Sequence, residues 1–268
     1  MPRVMGKASA KAVAMGGTLP SLCMMEVDKV KAYFESDDVV EHYARAAGRL
    51  GLWLSEEKLF TRLFGPEDSL LELGCGAGRI AIGLHELGYH KLLATDYARP
   101  MVMRARSLAK LLEYAIPFHV ADACELKFED GIFDGAIFGF NGLMQIPEGT
   151  NRAKALKEIH RVLRPGAWFA FTSHDRDRSP HQDFWAAEHV RWAEGAQDEN
   201  LNDFGDRAEW VENGVHFMHV PTMAEVEALV CAAGFRVEAS VMRSELATES
   251  TEVLDFSDDC RFWVVQKP

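Results

Sequence analysis

Short apolar runs alternate with longer segments of helical periodicity along most of the chain. Four of these runs have the length of a strand: residues 70–73, 91–96, 117–123 and 133–140. A run that is apolar almost throughout, such as the last one, is typical of a strand covered on both faces. Because strand and helix patterns alternate four or five times, the sequence predicts an α/β fold.

The first run ends in a turn that contains three glycines. Gly74, Gly76 and Gly78 stand at alternate positions, and a helix-like pattern resumes at Arg79. Glycine is needed where the backbone takes a positive φ or lets a ligand touch the main chain, and a helix start offers free N–H groups. The stretch therefore predicts a strand, a tight turn and a helix built around a nucleotide-like ligand.

Acids stand at the ends of the next two runs. Asp96 follows Gly78 by 18 residues, which is close to the spacing at which Rossmann-like folds place an acid on a ribose diol. A carboxylate suits this role because it accepts hydrogen bonds from both hydroxyl groups. Asp122 holds a similar position in the third run. These acids support the prediction of a nucleotide-like ligand.

Together these features resemble the class I S-adenosylmethionine-dependent methyltransferases. The resemblance covers about residues 66–175 and is weaker over 221–238. Its motifs are the segments 72–78, 95–96, 121–123, 133–134 and 159–167. A nicotinamide dehydrogenase is expected to show a G-x-G-x-x-G motif, and here Ile80 stands two positions after Gly78, so that class is disfavoured.

The resemblance implies a Rossmann-like sheet of seven strands in the order 3-2-1-4-5-7-6, with the last strand antiparallel, and S-adenosylmethionine as the cofactor. It assigns the methionine end to Glu72 and the glycine turn, the ribose to Asp96, and the adenine to Asp122 with Ala123. The full set expected at the cofactor is Tyr43, Glu72, Gly74, Cys75, Gly76, Gly78, Asp96, Tyr97, Asp122, Ala123 and Phe138. Simple helix or loop capping is the alternative role for Glu72 and Asp122.

The chain divides into a short N-terminal segment and one domain. Residues 1–25 are rich in Ala, Gly and Ser and contain no acid, which predicts a disordered tail; a targeting peptide or a start assigned too far upstream are the alternatives. Residues 26–268 are predicted to form a single methyltransferase domain. Two or three helices are expected within 26–65, and a capping-box pattern at Ser55 starts the last of them.

An insertion at residues 174–220 follows the predicted fifth strand. It contains several Trp and Phe residues, which a disordered linker lacks, and nine acids between Asp183 and Glu212. We therefore predict a folded lid. Six more acids lie between Glu245 and Asp259, in the connection between the last two strands, so two acid-rich elements are expected to rim one cleft. Ordinary solvated loop charge is the alternative.

Composition and charge narrow the classes of function. A net charge of −12 disfavours nucleic acid as a partner, because a negative surface repels phosphate backbones. The chain has no run of 18 apolar residues, so no membrane span is expected. The five cysteines form no C-x-x-C pair, so we expect neither a disulfide framework nor a metal site, and reduced thiols suit a cytoplasmic protein. No motif indicates an oligomeric state.

Candidate residues for catalysis lie after the fourth and fifth strands. His174, at the end of the fifth strand, is the first candidate for a general base because histidine titrates near neutral pH. His216 and His219 are the next candidates, and His216 and Asn141 are also candidate contacts to the methyl acceptor. An amine that arrives unprotonated needs no base, so the alternative is that no histidine is catalytic.

The tryptophans of the insertion are expected to contact the acceptor, with Trp185 and Trp192 as the first candidates. Tryptophan faces bind flat apolar groups and cations, and acids at a rim repel anions. The pattern therefore predicts a neutral or cationic acceptor with an aromatic or apolar body. Anchoring of the lid to the core is the alternative role for each tryptophan.

The predicted function is transfer of a methyl group from S-adenosylmethionine to an O or N nucleophile of a small molecule, by in-line displacement. A lid with several aromatic residues suits a ligand that must be buried. One alternative is a protein methyltransferase, which would need an open groove. Another is a non-catalytic S-adenosylmethionine-binding subunit, which would keep every cofactor motif. No motif identifies the acceptor.

Overall fold

A computed structural model of the chain describes residues 27–268. Three helices precede the sheet: α1 Val27–Glu35, α2 Asp37–Arg49 and α3 Leu54–Leu63. Strands and helices then alternate in the order β1 Leu70–Leu73, α4 Arg79–Glu86, β2 Leu92–Asp96, α5 Arg99–Leu111, β3 Phe118–Val120 and β4 Phe133–Phe138. The predicted tail, residues 1–25, lies outside the described residues.

The second half of the chain adds the insertion and the remaining strands. It begins with α6 Gly149–Val162, β5 Leu163–Ser173, α7 Gln182–Ala193, β6 Asp206–Val211 and β7 Gly214–His219. It continues with α8 Met223–Ala232, β8 Arg236–Met242, α9 Arg243–Leu246, α10 Thr251–Phe256 and β9 Arg261–Gln266. Within residues 27–268, no helix is both long and apolar enough to cross a membrane.

Seven strands form one sheet in the order β3-β2-β1-β4-β5-β9-β8. The pairs among β1 to β5 are parallel, and β9 runs antiparallel to both of its neighbours. Counted over the sheet alone, this is the order 3-2-1-4-5-7-6, so the predicted fold class is confirmed. The hairpin of β6 and β7 stands apart from the sheet, and the sequence pattern does not predict it.

Apolar side chains fill both faces of the sheet. On one face, α4 and α5 pack through residues such as Leu84 and Val102, which are fully buried. On the other face, α6 and α8 pack through Leu156 and Val230, which are equally buried. Burial of each such side chain contributes about 1.5–3 kcal/mol. The carboxyl ends of the parallel strands are therefore held firmly at one edge, where open α/β sheets bind ligands.

The start of α3 differs from the prediction. The helix begins at Leu54 rather than after Ser55, and Trp53 is its N-cap. The Glu56 carboxylate accepts the Trp53 N–H at 2.9 Å. Glu249, in the connection between β8 and β9, accepts the N–H groups of Leu54 and Ser55 at 3.1 and 2.8 Å. A distant carboxylate satisfies this helix start, so the local sequence could not indicate it.

The insertion folds as α7 and the β6–β7 hairpin around its own aromatic core. Trp185 is 5% exposed, and the guanidinium of the buried Arg176 lies over the rings of Trp185 and Phe204. Trp192 packs against Phe204, with 5.8 Å between the ring centroids. Strand β7 packs against α1, so the insertion is also joined to the N-terminal helices.

Candidate functional site

A cleft of about 620 Å³ lies at the carboxyl ends of β1 to β4, and α1 and α2 contribute to its lining. Ten of the eleven residues predicted at the cofactor line it: Tyr43, Glu72, Gly74, Cys75, Gly76, Asp96, Tyr97, Asp122, Ala123 and Phe138. The structure thus brings together, in one cavity, residues that come from distant parts of the sequence.

The glycine turn after β1 takes a backbone that only glycine adopts easily. Gly74 and Gly76 have φ values of +60° and +53°, in the left-handed region. A Cβ atom at Gly74 would lie 2.6 Å from the ring of Phe138, so close packing also requires glycine there. Gly78, the eleventh predicted residue, does not line the cleft. It lies against Phe118 and brings the start of α4 close to β3.

Glu72 is a buried acid in β1. It is 2% exposed, and its Oε2 has no hydrogen-bond partner among residues 27–268. Burial raises the pKa of Glu72 to about 8, although the positive charge of Arg79 opposes the rise. A buried carboxyl group with a free oxygen is suited to a ligand that brings a cation or a hydrogen-bond donor.

Asp96 joins the end of β2 to the glycine turn. Its Oδ2 accepts the Gly76 N–H and its Oδ1 accepts the Ala98 N–H, each at 2.8 Å. Burial raises the pKa of Asp96 to about 6, and these backbone hydrogen bonds limit the rise. Because each carboxylate oxygen keeps a second lone pair, Asp96 can hold the turn and still accept hydrogen bonds from a diol in the cleft.

The sequence analysis missed a buried ion pair beside this turn. Nη1 and Nη2 of Arg79 each donate to the Glu56 carboxylate at 2.6 Å, and the guanidinium lies 4.3 Å from the centre of the Trp53 ring. Arg79 lines the cleft, and the pair fixes α3 against the first turn of α4. Glu56 and Arg79 are 23 positions apart, so no local pattern could indicate their contact.

Aromatic side chains from α2, the segment after β4 and α10 line one part of the cleft. We call Tyr43, Phe140 and Phe256 the aromatic wall. The ring centroid of Phe140 lies 5.9 Å from that of Tyr43 and 5.3 Å from that of Phe256. The buried Trp53 packs behind it, 5.7 Å from Phe140.

The sequence analysis did not identify Phe140 or Phe256 as site residues. Strand β4 ends at Phe138, two residues earlier than predicted, so Phe140 lies in the following turn instead of the strand. Phe256 ends the short helix α10, in a connection that the sequence analysis characterises only by its acids. Phe256 is the only aromatic residue of the sequence between Arg243 and Cys260, and this is the signal that could have indicated a buried contact.

His174 and Asn141 contact each other at the ends of β5 and β4. Asn141 Nδ2 lies 3.2 Å from His174 Nε2, and His174 Nδ1 lies 3.3 Å from the carbonyl oxygen of Asp259. Burial lowers the pKa of His174. Both ring nitrogens have partners, so this arrangement does not favour His174 as a general base. Neither residue is part of the cleft lining, although Phe140 and Gly142 on either side of Asn141 are.

The other candidate residues lie away from the cleft lining. His216 stacks on Tyr33, with 4.9 Å between ring centroids, and His219 Nδ1 lies 2.8 Å from the Asp206 carboxylate. Trp185 and Trp192 pack against Phe204 in the interior of the insertion, as described above. The structure therefore supports the anchoring role for these two tryptophans, because their apolar surface is used within the insertion.

The acids of the two acid-rich segments do not rim the cleft, contrary to expectation. In the insertion, Glu188 forms ion pairs with Arg191 and Arg207. In the connection between β8 and β9, Glu249 caps α3. Within residues 27–268, no acid of either segment is among the residues that line the cleft. Glu188 pairs with arginines and Glu249 caps a helix, so both carboxylates are bound to groups outside the cavity.

Comparison with known proteins identifies a methyltransferase domain, whose family model matches residues 71–171. The 2-phytyl-1,4-naphtoquinone methyltransferase of Synechococcus elongatus is 34% identical over 121 residues, which cover 43% of this chain and 49% of the relative. The demethylmenaquinone methyltransferase of Thermus thermophilus is 36% identical over 100 residues, which cover 36% of this chain and 43% of the relative. The chain thus spans just under half the length of these curated relatives.

Solved structures with the same fold include an S-adenosylmethionine-dependent methyltransferase of Methanosarcina mazei. It matches with a TM-score of 0.62 at 19% identity, over 78% of this chain and 96% of that chain. The CcbJ methyltransferase of Streptomyces caelestis matches with a TM-score of 0.56 at 15% identity, over 80% of this chain and 88% of that chain. At such low identity, these structures support the fold alone.

Proposed function

Since the chain belongs to the class I S-adenosylmethionine-dependent methyltransferases, with S-adenosylmethionine as cosubstrate, we propose that it methylates a small, flat and apolar acceptor. One observation carries this proposal. The cavity that contains Glu72 and Asp96 also contains the aromatic wall of Tyr43, Phe140 and Phe256. A single cleft thus offers polar contacts for a nucleoside and an apolar surface for a ring.

The residues of the cleft fit the cosubstrate. The unpartnered Oε2 of Glu72 can accept a hydrogen bond from the amino group of the methionine end, and Asp96 can accept hydrogen bonds from the ribose. Gly76 faces Tyr43, and its missing side chain leaves room there for a ligand. Tyr97 lines the cleft beside Asp96 and can hold the adenine. When bound, S-adenosylmethionine supplies a methyl group that its sulfonium charge has already activated.

The chain's own residues then hold the reactants and exclude water. The glycine turn and Asp96 fix the cosubstrate, and Val30 and Phe34 of α1 cover the cleft with apolar surface. The aromatic wall holds the plane of the acceptor, so that its O or N nucleophile stays in line with the methyl group. His174 has both ring nitrogens engaged and takes no part as a base in this proposal.

The relatives support this class of acceptor, since their names are those of quinone methyltransferases and a quinone is a flat ring. A neutral acceptor is favoured over a cationic one, because no acid of either acid-rich segment lines the cleft. The aromatic wall binds a neutral ring through burial of apolar surface alone.

Methyl-labelled S-adenosylmethionine, incubated with the protein and a metabolite extract, tests the proposal. We expect the label in an apolar, ring-containing small molecule. In parallel, titration calorimetry should show that Asp96→Ala weakens S-adenosylmethionine binding by about 1.5–3 kcal/mol, as loss of charge-assisted hydrogen bonds does. Asp183→Ala, at an exposed position of α7, is the control. Label in protein alone, or binding without transfer to any molecule, would contradict the proposed activity.

A further inference from the structure

We propose that His85 and His90 form a binding site for Zn²⁺, in which the Nδ1 atoms of both rings ligate the ion. His85 lies in the last turn of α4, and His90 lies in the loop that leads into β2. Neither residue is part of the cleft lining, so the inference does not depend on the proposed function. The sequence analysis expects no metal site because it considers only the pattern of cysteines.

A well-defined turn brings the two histidines together. Gly88 has a φ of +94°, which glycine adopts without strain and which is common just after the end of a helix. The Tyr89 N–H donates to the Leu84 carbonyl oxygen at 3.0 Å. Tyr89 is buried, and its hydroxyl donates to the Phe64 carbonyl oxygen at 2.9 Å. The backbone is thus fixed up to the residue that precedes His90.

The two ring nitrogens are spaced as zinc ligands are. Nδ1 of His85 lies 3.4 Å from Nδ1 of His90. Two Zn–N bonds of about 2.0–2.1 Å that meet at the tetrahedral angle place their nitrogens about 3.3–3.4 Å apart. A hydrogen bond between the rings would be long, since N–H donors usually lie within about 3.2 Å of their acceptors. The observed spacing therefore fits a shared ion better than a shared proton.

Tyr114 and Glu86 complete the surroundings of His85. The centroid of the His85 ring lies 4.7 Å from that of Tyr114, and the Tyr114 hydroxyl donates to Glu86 Oε1 at 3.2 Å. Burial and the neighbouring His90 lower the pKa of His85, and the charge of Glu86 opposes this effect. A lowered pKa favours the neutral imidazole, which is the form that binds a metal. The negative charge of Glu86 also attracts a cation.

Zn²⁺ is the ion that suits these ligands. Neutral imidazole is a good ligand for Zn²⁺, whereas Mg²⁺ and Ca²⁺ prefer oxygen ligands. Within residues 27–268, no group of three His, Cys, Asp or Glu side chains is arranged to hold a metal, so water completes the tetrahedron. Each Nδ1 gives its lone pair to the ion, and each neutral ring carries its proton on Nε2.

The histidine pair and the cleft lie at opposite ends of β2. His90 stands two positions before the start of this strand, whereas Asp96, its last residue, lines the cleft. Extended chain from His90 to Asp96 spans about 20 Å. A bound ion would join the end of α4 to the start of β2 without touching the cleft. Because the ion binds the folded pair, we expect it to stabilise the folded protein.

Calorimetric titration of the full chain with ZnCl₂, in a chelator-free buffer at neutral pH, tests the inference. For the wild-type protein we expect a binding event that MgCl₂ does not produce. His85→Gln and His90→Gln should each weaken Zn²⁺ binding by about 10-fold or more, because each variant keeps a single ligand of the pair. His119→Gln, at an exposed position of β3, removes a histidine outside the pair and should bind Zn²⁺ as the wild type does.

A further substitution separates ligation from a role in packing. His90→Cys replaces one zinc ligand by another, a thiolate, so it should retain Zn²⁺ binding. A histidine needed only for its ring would not be replaced by a thiol. As a second readout, Zn²⁺ should raise the urea midpoint of unfolding of the wild type and of His90→Cys, but not that of His90→Gln.

The outcomes bear on the histidine pair alone. Absence of Zn²⁺ binding by the wild type would overturn the inference, as would equal loss in His90→Cys and His90→Gln. Undiminished binding in both glutamine variants would also overturn it and would place the ion elsewhere, for example on the exposed thiol of Cys231. S-adenosylhomocysteine, the demethylated cosubstrate, should bind the wild type and all four variants equally, with or without Zn²⁺. Failure of the wild type to bind S-adenosylhomocysteine would contradict only the proposed function.

Discussion

Ionisation of the buried Glu72 carboxyl group reduces the stability of the cofactor-free protein. Its carboxyl group is buried in β1 with one oxygen unpaired, and burial raises its pKa to about 8. The ordinary value for glutamate is about 4.3. Because the folded-state pKa is the higher one, the protonated group favours the folded state. Its contribution is complete below pH ~4 and is lost as the pH rises through about 8.

Replacement of Glu72 by its neutral isostere should therefore change the free energy of unfolding and the affinity for S-adenosylmethionine in opposite directions. At pH 8.5, Glu72→Gln is expected to raise the free energy of unfolding of the cofactor-free protein by about 1–3 kcal/mol and to weaken S-adenosylmethionine binding. Denaturant unfolding and titration calorimetry measure the two effects. At pH 4, where wild-type Glu72 is protonated, the stabilities should converge. Glu57→Gln, at an exposed position of α3, serves as the control, and a less stable Glu72→Gln protein with unchanged affinity would refute the assignment.

At the scale of secondary-structure elements, α1 connects the insertion to the cleft. Val30 and Phe34 line the cleft, and the same helix packs closely on β7. A Cβ atom at Gly214 would lie 2.4 Å from the Lys29 carbonyl oxygen and 2.6 Å from the Tyr33 nitrogen. Only glycine allows this approach, since backbone atoms cannot move aside as a flexible side chain can. The position of α1 over the cleft thus depends on a strand of the insertion.

A side chain at Gly214 should consequently weaken cosubstrate binding from a distance. We expect Gly214→Val to separate α1 from β7 and to reduce the affinity for S-adenosylhomocysteine by about 10-fold or more, as misplacement of packed elements does. Gly195→Val is the matched control, because Gly195 also has a positive φ, of 68°, but has open space around it. Calorimetry of both variants checks this, and equal losses would show that backbone strain, not displacement of α1, is responsible.

For the whole molecule, the net charge of −12 is large, but the acids of the two acid-rich segments do not line the cleft. Acids of the insertion and of the connection between β8 and β9 pair with arginines or cap helices instead, as Glu188 and Glu249 do. The aromatic wall consequently lies in a cavity that these acids do not rim. Screening by salt acts on exposed charges, and the exposed acids of these two segments lie outside the cleft lining.

Acceptor affinity should therefore depend little on ionic strength. We compare a cationic ring, 1-naphthyltrimethylammonium, with the neutral 1-methoxynaphthalene in wild-type protein saturated with S-adenosylhomocysteine. Between about 0.15 and 1 M salt, the ratio of the two dissociation constants should change by less than about twofold. A cation preference that collapses at high salt would instead show that the acid-rich segments face the cleft in solution.

The sequence alone determined the alternation of strands and helices, the glycine turn and the positions of Glu72 and Asp96, whereas the order of the strands in the sheet came from the family resemblance. Apolar runs and glycines report on each residue's own backbone and burial, which are local properties. Through its motifs, the sequence also indicated the family, and a methyltransferase family model matches residues 71–171. Role assignments for the individual cofactor residues stay predictions.

Only the tertiary structure decided what surrounds these residues. The pairing of Arg79 with Glu56, the contact of Asn141 with His174 and the approach of Phe256 to the cleft join segments 23 to more than 100 positions apart. Acids and tryptophans with similar sequence surroundings have different roles in the structure. A charged group is stable where folding gives it an ionic or hydrogen-bonding partner, and an aromatic ring is stable where folding buries it in a core. The composition shows that charged side chains need partners and that aromatic side chains need burial. Only the packed chain decides which residues provide them.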